Sequence, residues 1–313
     1  MNAIVGREHF SRPATRDKRS PSADLLPAHD NKALLRAERA IAQKYVGGRL
    51  WGVVVLGLGN FFLWAALFPL TMFDIIPLWL AFIIATLSIT VCYVPSHEAQ
   101  HSNIAREGEK LRWVNELLGH LSTIPLILPY RMTRIMHLQH HMHVNDPERD
   151  PDYPDAARNA FHAIIKTIVN RQPRSTGTIN HYKRVLTELN SPAARTAQKD
   201  TAIAQLASMA FFFIMAWSGY PLVIALVWWL PRHIALSYIR FYLSWAPHHP
   251  RVETGRYTNT RAFRSRLGHI ASMGMQYHIV HHLYPNIPTH RTRAAYWEMR
   301  PILVARGCDL GEL

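Results

Sequence analysis

The sequence is poor in cysteine. Its 313 residues include two cysteines, Cys92 and Cys308, and neither belongs to a C-x-x-C pair. Disulfide scaffolds, thiolate zinc sites and iron–sulfur clusters all need several cysteines at short spacings, so the sequence supports none of them. We therefore expect any metal ion to be held by nitrogen or oxygen ligands.

Acidic residues are also scarce. The 21 Asp and Glu residues stand against 35 Lys and Arg residues, which gives a formal net charge of +14. Such an excess can indicate nucleic-acid binding, but here the basic residues mostly flank apolar segments and no recognition motif accompanies them. We therefore expect no nucleic-acid partner.

The apolar residues are concentrated in a few blocks. They make up 49% of the chain, although polar stretches bring the mean hydropathy to -0.06. Four apolar runs have roughly membrane-spanning length, at residues 51–68, 75–94, 201–217 and 221–242. The short turns between them predict an all-α, polytopic membrane protein with four transmembrane helices in two hairpins. The last helix is expected to kink at Pro231.

The remaining segments complete the predicted organisation. The short apolar run at 113–129 contains His120 and two prolines, so we expect an interfacial or re-entrant segment in which His120 is buried and hydrogen-bonded rather than metal-bound. Residues 146–200 are polar and predict an insertion outside the membrane. The chain is thus divided into a disordered basic tail at 1–30, one membrane domain at 31–300 and a C-terminal tail at 301–313.

Charge predicts the orientation of the hairpins. Ten Lys or Arg residues precede the first span, whereas the turn that follows this span has none. The positive-inside rule then places both ends of the hairpin in the cytoplasm. We expect a multi-pass protein of the cell membrane, with both termini and a histidine-rich cap on the cytoplasmic side.

Histidine is abundant, with 19 residues, and four short groups lie at the ends of predicted spans. The groups are His97-Glu-Ala-Gln-His101, His137-Leu-Gln-His140-His141, Pro247-His248-His249-Pro250 and His278-Ile-Val-His281-His282. Residues three or four apart share one face of a helix, so each H-x-x-x-H or H-x-x-H-H motif presents two or three imidazoles to a common point. This arrangement suits metal ligands.

The number of imidazoles indicates how many ions they could hold. About eight or nine candidates exceed one tetrahedral ion and fit two metals. Ligand type alone does not choose between zinc, copper, nickel and iron. We favour two iron ions over a pair of redox-inert ions, because the sequence shows no obvious hydrolytic partner for such a pair. This choice rests on the class of function and not on the spacing of the ligands.

The first histidine motif has a competing interpretation. Residues 97–101 also read H-E-x-x-H, the zinc metallopeptidase signature in which the glutamate, here Glu98, is the general base. This hypothesis leaves both H-x-x-H-H motifs unexplained. With two irons, Glu98 would instead orient an imidazole from outside the ligand set.

Between paired hairpins, the motifs H-E-A-Q-H, H-L-Q-H-H and H-I-V-H-H resemble the membrane fatty acid desaturase and hydroxylase superfamily, over about residues 51–300. Two longer stretches, at 133–152 and 277–288, look like the cyanobacterial type of β-carotene hydroxylase. Carried over by position, the resemblance implies these iron ligands: His97, His101, His137, His140, His141, His248, His278, His281 and His282.

Other polar residues lie close to these motifs. His143 and His249 could be ligands or could support ligands. Asn145, Asp146, Asp150 and Asp152 could hold imidazoles through hydrogen bonds, or they could form a solvated turn.

The resemblance implies an oxidoreductase that uses O2 to attack a C–H bond of a lipid-like substrate. No haem, flavin or iron–sulfur motif is present, so an external electron donor, a ferredoxin or another reductase, is expected. The favoured reaction is hydroxylation of the β-ionone ring of a carotenoid, and the alternative is a fatty-acyl desaturase or hydroxylase. A zinc-dependent intramembrane protease and a non-catalytic metal-binding membrane protein are hypotheses from other classes.

Overall fold

The computed structural model describes residues 28–172, 177–250 and 252–313, whose regular structure is helical. The first six helices are Ala28–Tyr45 (α1), Trp51–Met72 (α2), Leu78–Val91 (α3), Tyr93–Gln100 (α4), Arg112–Thr123 (α5) and Tyr130–Met142 (α6). The others are Ala160–Asn170 (α7), Thr178–Leu189 (α8), Pro192–Trp217 (α9), Pro221–Ile224 (α10), Leu230–Ile239 (α11), Gly268–Ala271 (α12), His278–Leu283 (α13) and Thr289–Ala305 (α14). Two π-helical segments, Ala225–Trp229 and Arg240–Trp245, flank α11. The all-α prediction is confirmed.

Within the described residues, four helical stretches are long and apolar enough to cross a membrane: Trp51–Met72, Leu78–Gln100, Pro192–Trp217 and Pro221–Trp245. They confirm the four predicted spans. The third begins at Pro192 rather than at residue 201. Its first turns are polar, so hydropathy did not assign them to the span, but they are helical because the N-terminus of the helix is capped. The Ser191 side chain accepts a hydrogen bond from the Ala194 N–H, and proline occupies the first helical position.

The four spans form two hairpins, as predicted. Helix α2 packs against α3, α9 packs against α10, and α3 also packs against α11. The connecting turns lie at residues 73–77 and 218–220. Since each hairpin starts and ends on the same side, all the histidine motifs lie at the end of the bundle opposite to these turns.

An aromatic cluster joins the two hairpins. The ring of Trp64 lies 5.0 Å from that of Trp228 and 5.4 Å from that of Phe68. On the outer faces of the spans, by contrast, large apolar side chains are exposed, among them Leu206 at 67% and Trp217 at 83%. A surface of this kind suits contact with lipid.

The last span departs from α-helical geometry near Pro231, where a kink was predicted. Pro231 lacks an N–H, so the carbonyl of Val227, four residues earlier, has no partner in a regular helix. The indole N–H of Trp64 donates to this carbonyl at 3.3 Å. The π-helical segment Ala225–Trp229 occupies the preceding turn. The helix is therefore irregular beside Pro231 and the Val227 carbonyl is satisfied, while the kink itself stays a prediction.

The short apolar run at 113–129 does not span the membrane. Helix α5 has 12 residues and is about 18 Å long, whereas the hydrocarbon core is about 30 Å thick. The irregular backbone that follows is satisfied by the last span, because Trp228 Nε1 donates to Pro125 O at 2.8 Å and Arg232 Nε donates to Leu126 O at 2.6 Å. Carbonyls at this depth need such partners.

The folded domain extends beyond both predicted boundaries. The proposed tail at 301–313 begins inside α14, and Leu303 is fully buried. Arg306 is also buried, with Nε 3.8 Å from Oε2 of Glu38 on α1. The polar composition of this segment concealed the apolar face that packs on α13. Helix α1 starts at Ala28, and residues 1–27 of the predicted disordered tail lie outside the described residues.

Candidate metal centre

The four histidine motifs meet at one end of the helical bundle. His97 and His101 lie at the end of α4, the H-L-Q-H-H motif closes α6, and the H-I-V-H-H motif forms α13. His248 follows directly on the last span. Six of these imidazoles are buried, with exposures between 2% and 9%: His97, His101, His140, His248, His278 and His281.

One group of imidazoles consists of His97, His101, His137 and His281. One ring nitrogen from each lies within 4.8 Å of all the others. The Nε2 atoms of His97 and His281 are 3.2 Å apart, and those of His101 and His137 are 2.8 Å apart. His141 adjoins the group, since its Nε2 lies 3.0 Å from that of His281 and 3.3 Å from that of His137.

A second group consists of His140, His248, His278 and His282, again with one nitrogen each within 4.8 Å of the others. The Nε2 atom of His248 lies 3.2 Å from those of His140 and His278. His282 Nε2 lies 3.0 Å from His278 Nε2. The two groups touch, because the rings of His141 and His282 stack with centroids 4.1 Å apart.

Each H-x-x-H-H motif serves both groups. On α6, the residues four apart, His137 and His141, face the first group, while His140 faces the second. On α13 the allocation is reversed, since His278 and His282 face the second group and His281 faces the first. The helical spacing of three and four residues thus divides consecutive histidines between two points in space.

The arrangement fits two metal ions. Two nitrogen ligands about 2.1 Å from an ion and at right angles to each other are about 3.0 Å apart, close to the spacings observed here. Burial lowers the pKa of His101, His137, His141, His281 and His282 well below 6.5, and neighbouring imidazoles lower it further. Neutral imidazoles keep a free lone pair for a metal.

The buried carboxylate of Asp150 contacts the Nδ1 atom of His140, whereas the Nε2 atom of that imidazole faces the second group. Oδ1 of Asp150, which is fully buried, lies 2.8 Å from Nδ1 of His140. This carboxylate also accepts hydrogen bonds from the backbone N–H groups of Asn145 and Asp152, each at 2.9 Å. Asp150 was among the residues that could hold an imidazole, and the structure brings it to that position.

Asn145 supports the segment that follows His248. Its Nδ2 donates to the carbonyls of Glu253 and Asn259, at 2.7 and 2.8 Å. The Asn259 carbonyl in turn lies 3.4 Å from Nδ1 of His248. Asn145 is therefore connected to a candidate ligand through one backbone group, rather than by direct contact.

Three other residues near the motifs lie outside both groups. Asp146 caps a turn, since its Oδ1 accepts from the N–H groups of Glu148 and Arg149; this is the solvated-turn alternative and not contact with an imidazole. His143 follows the end of α6 and belongs to neither group. The ring of His249 packs on Trp245 at 4.9 Å.

His120 also lies outside both groups, but the expected hydrogen bond of its side chain is not found among the described residues. Its half-buried ring packs against that of Tyr130, with centroids 5.1 Å apart. Burial lowers the pKa of His120, and the nearby charge of Arg131 adds to this effect.

Glu98 does not contact an imidazole through the hydrogen bonds found in the described residues. Its Oε1 accepts from the N–H of Thr289 at 2.6 Å, and its Oε2 accepts from Nδ2 of Asn103 at 2.8 Å. Glu98 thus ties α4 to the start of α14, instead of orienting a histidine. A peptidase would need this carboxylate beside the metal, so its position argues against the H-E-x-x-H interpretation.

A polar network that the sequence patterns did not indicate lies beside the first group. Arg240, in the last span, donates to Asp152 Oδ1 and Asp155 Oδ2, both at 2.8 Å, and to the hydroxyl of Tyr182 at 2.5 Å. Together with His137, residues of this network line a small cavity. An arginine within an apolar span was the signal that could have revealed it, because buried charges in such segments are rare.

Comparison with known proteins places the chain in a family. Residues 73–310 match the family described as fatty acid desaturase. The chain is 27% identical over 243 residues to the sn-1 oleoyl-lipid 12-desaturase of Synechocystis sp. (strain ATCC 27184 / PCC 6803 / Kazusa), with 68% of this chain and 65% of the relative covered. It is 26% identical over 270 residues to the sn-1 oleoyl-lipid 12-desaturase of Anabaena variabilis, with 83% and 64% covered.

A third relative is the sn-1 acyl-lipid omega-3 desaturase (ferredoxin) of Nostoc sp. (strain 36), which is 22% identical over 218 residues, with 63% of this chain and 57% of the relative covered. The chain therefore spans less than two thirds of the length of these relatives. Since the family match extends over more than half of its residues, the chain belongs to the fatty acid desaturase family.

Proposed function

We propose that this chain is a membrane oxidoreductase with two iron ions, which introduces a double bond into the acyl chain of a lipid. The observation that carries the proposal is the pair of adjoining groups of converging histidine Nε2 atoms at one end of four apolar helices. Family membership and the acyl-lipid desaturases among the relatives support the choice of reaction.

In this proposal each group holds one ion. The first ion is bound by His97, His101, His137, His141 and His281, and the second by His140, His248, His278 and His282. Asp150 accepts the Nδ1 proton of His140 in a hydrogen bond, which leaves the lone pair of Nε2 directed toward the second ion. Burial keeps the imidazoles neutral and excludes water from their surroundings.

The bound iron ions supply the O2 activation that is needed to remove hydrogen from an unactivated carbon. In the overall reaction a CH2–CH2 unit loses two hydrogen atoms and becomes CH=CH. O2 takes up these two hydrogen atoms, two further electrons and two protons, and leaves as two water molecules. We infer an external donor for the two electrons, since the chain has no redox cofactor motif of its own, and a ferredoxin is the proposed class.

The proposed substrate differs from the one that the motifs favoured. The longer motif stretches favoured hydroxylation of a carotenoid ring, whereas the relatives reported above are acyl-lipid desaturases. Carotenoid hydroxylation is therefore not supported, and the fatty-acyl alternative takes its place. The histidines alone do not choose between the two, because the position of the substrate carbon decides which bond reacts.

We also propose that the histidine end of the bundle faces the cytoplasm of the cell. Ten Lys or Arg residues precede the first span, and this asymmetry supports the orientation. A soluble electron donor could then reach the histidine groups from the cytoplasm.

The experiment is expression of the full chain in a host that contains both oleoyl lipids and β-carotene, in medium enriched in iron-57. Mössbauer spectroscopy of the purified protein should show about two coupled irons per chain, and mass spectrometry should show acyl chains with an additional double bond. A His140→Ala, His281→Ala double variant should lose both results, while a His162→Ala variant, altered outside both groups, should keep them. One tightly held zinc and unchanged acyl chains would contradict the proposal, and a hydroxylated carotenoid would contradict its substrate.

A further inference from the structure

A cavity of about 390 Å³ lies between α6, α8, α9 and α11. Part of its wall is apolar and includes Leu128, Met132, Leu186 and Leu236. Helix α9, which closes one side, is itself a candidate membrane span. The cavity therefore adjoins the region of lipid, and its apolar part suits a hydrocarbon chain.

The rest of the wall is strongly basic. It includes Arg171, Lys183, Arg232 and Arg240, but a single carboxylate, that of Asp155. This carboxylate is already paired with Arg240, and so is Asp152. Among the described residues neither Arg171 nor Arg232 forms a salt bridge, although the more distant charge of Asp155 acts on Arg171, and the cavity carries an excess of positive charge.

Two nitrogen atoms of the Arg171 side chain have no hydrogen-bond acceptor among the described residues. Its Nη2 donates to Ser237 Oγ at 2.8 Å and to the carbonyl of His233 at 3.2 Å. Its Nε and Nη1 are buried and have no hydrogen-bond partner. Burial lowers the pKa of Arg171 to about 10, and the charge of Arg240 contributes, so the group is still charged at neutral pH. Buried charged donors without an acceptor are costly. Because Arg171 lines the cavity, an anion there would give its charge a partner.

The basic cavity leads toward the first histidine group. A smaller cavity of about 50 Å³ has His137 in its wall. The two cavities share four wall residues, Leu128, Tyr182, Leu236 and Arg240. A ligand held by Arg171 and Arg232 could therefore extend past these residues to the candidate metal centre.

We propose that this cavity binds the anionic head of the substrate, an acyl lipid whose phosphate or carboxylate oxygens accept hydrogen bonds from Arg171 and Arg232. The acyl chain then runs along Leu128 and Leu236 toward His137. The inference rests on the proposed function for the fate of the chain, but binding of the head requires no turnover.

The test compares three probes that carry the same oleoyl chain: oleoyl lysophosphatidate, oleate and uncharged monooleoylglycerol. Binding to the iron-loaded full chain is measured by calorimetry in an uncharged detergent. An anionic probe should bind at least about tenfold more tightly than monooleoylglycerol, the size of effect that charge-assisted hydrogen bonds produce. Preference for lysophosphatidate would identify a phospholipid head, and preference for oleate a carboxylate.

Substitutions then assign the preference to the two arginines. The double variant Arg171→Met, Arg232→Met should bind all three probes alike, with unchanged affinity for monooleoylglycerol. Ser237→Ala removes a tether of Arg171 but not its charge, and Arg195→Met removes an exposed charge on α9; both should keep the preference. If the double variant does not fold, Arg171→Met alone should lose part of the preference, because Arg232 also donates to the Leu126 carbonyl and Arg171 does not.

Equal binding of the three probes to the unsubstituted chain would overturn the inference, and so would an undiminished preference in the Arg171→Met variants. These outcomes are separate from a failure of the proposed function. A chain that prefers anionic probes but forms no double bond would contradict the function alone, whereas desaturation without any such preference would contradict the cavity assignment alone.

Discussion

Oδ1 of Asp150 lies 2.8 Å from Nδ1 of His140, and both residues are buried. The loop after α6 brings them together: it returns the chain so that backbone N–H groups of Asn145 and Asp152 fix the carboxylate. The imidazole then has its proton on Nδ1 and its lone pair on Nε2, the atom that faces the second histidine group.

Asp150→Asn should weaken iron binding by the second group. An amide accepts a weaker hydrogen bond from His140 than a carboxylate does, and changes of this kind cost about 10- to 100-fold in metal affinity. Iron retained during titration with a chelator measures the effect. Asp146→Asn is the matched control, because Asp146 caps a turn outside both groups, and equal retention in the two variants would count against a role for Asp150.

His140→Ala and His281→Ala should each remove about one iron per chain, not two. Each histidine faces a different group, so the other group keeps its full set of imidazoles. Double-bond formation should be abolished in both variants, because the proposed chemistry uses both ions. Iron analysis and Mössbauer spectra provide the measurement, and unaltered desaturation in either variant would refute the ligand assignment.

Glu98→Gln should spare metal binding but lower thermal stability. The glutamine side chain keeps one acceptor oxygen for Thr289 or Asn103 and places an N–H donor where a carboxylate oxygen was. The loss should be about 1–3 kcal/mol, the cost of a buried polar group left unsatisfied. Unfolding midpoints in detergent measure it. A metallopeptidase would behave differently, with stability preserved and peptide hydrolysis lost.

Gly119→Ala should destabilise the packing of α5 on α6. A methyl group at this position would lie 2.4 Å from Cε2 of Tyr130, a fully buried ring that also donates a hydrogen bond to the Ala99 carbonyl. Overpacking of this kind costs about 1–3 kcal/mol. Gly59→Ala on α2 is the control, since a methyl group there meets nothing within 4 Å; it should be neutral or slightly stabilising. Equal midpoints of thermal unfolding would contradict the predicted clash.

Trp64→Phe should cost more stability than Trp79→Phe. The first substitution leaves the Val227 carbonyl, freed by Pro231, without a donor in an apolar environment. Trp79 is 64% exposed on the outer face of α3, and its indole makes no such bond among the described residues. The two variants are compared by thermal unfolding at equal detergent concentration, and a larger loss in Trp79→Phe would contradict this account of the last span.

The spans and the histidine motifs could be predicted because both depend on local spacing. Membrane thickness sets the length of an apolar run, and the helical repeat places residues three and four apart on one face. The start of α9 was placed too late because hydropathy does not register a capping serine followed by proline. The apolar face of α14 was overlooked for a similar reason: its neighbours along the chain are arginines.

The surroundings of the site could not be predicted, because they depend on contacts between distant residues. Asp146 and Asp150 look alike in the sequence, yet the first caps a turn and the second holds an imidazole. Glu98 lies between two candidate ligands in the sequence, but its partner is the backbone of Thr289, 191 residues away. The network of Arg240 likewise draws its acids from a loop that local patterns describe only as polar.

Because α6 and α13 each contribute histidines to both groups, the positions of the two groups depend on the same two helices. A rotation of α6 by one residue, about 100°, would move His140 and His141 out of both groups at once, and the same holds for His281 and His282. A shift or rotation of either helix would therefore disturb both groups, whereas the loss of a single imidazole disturbs only the group that it faces.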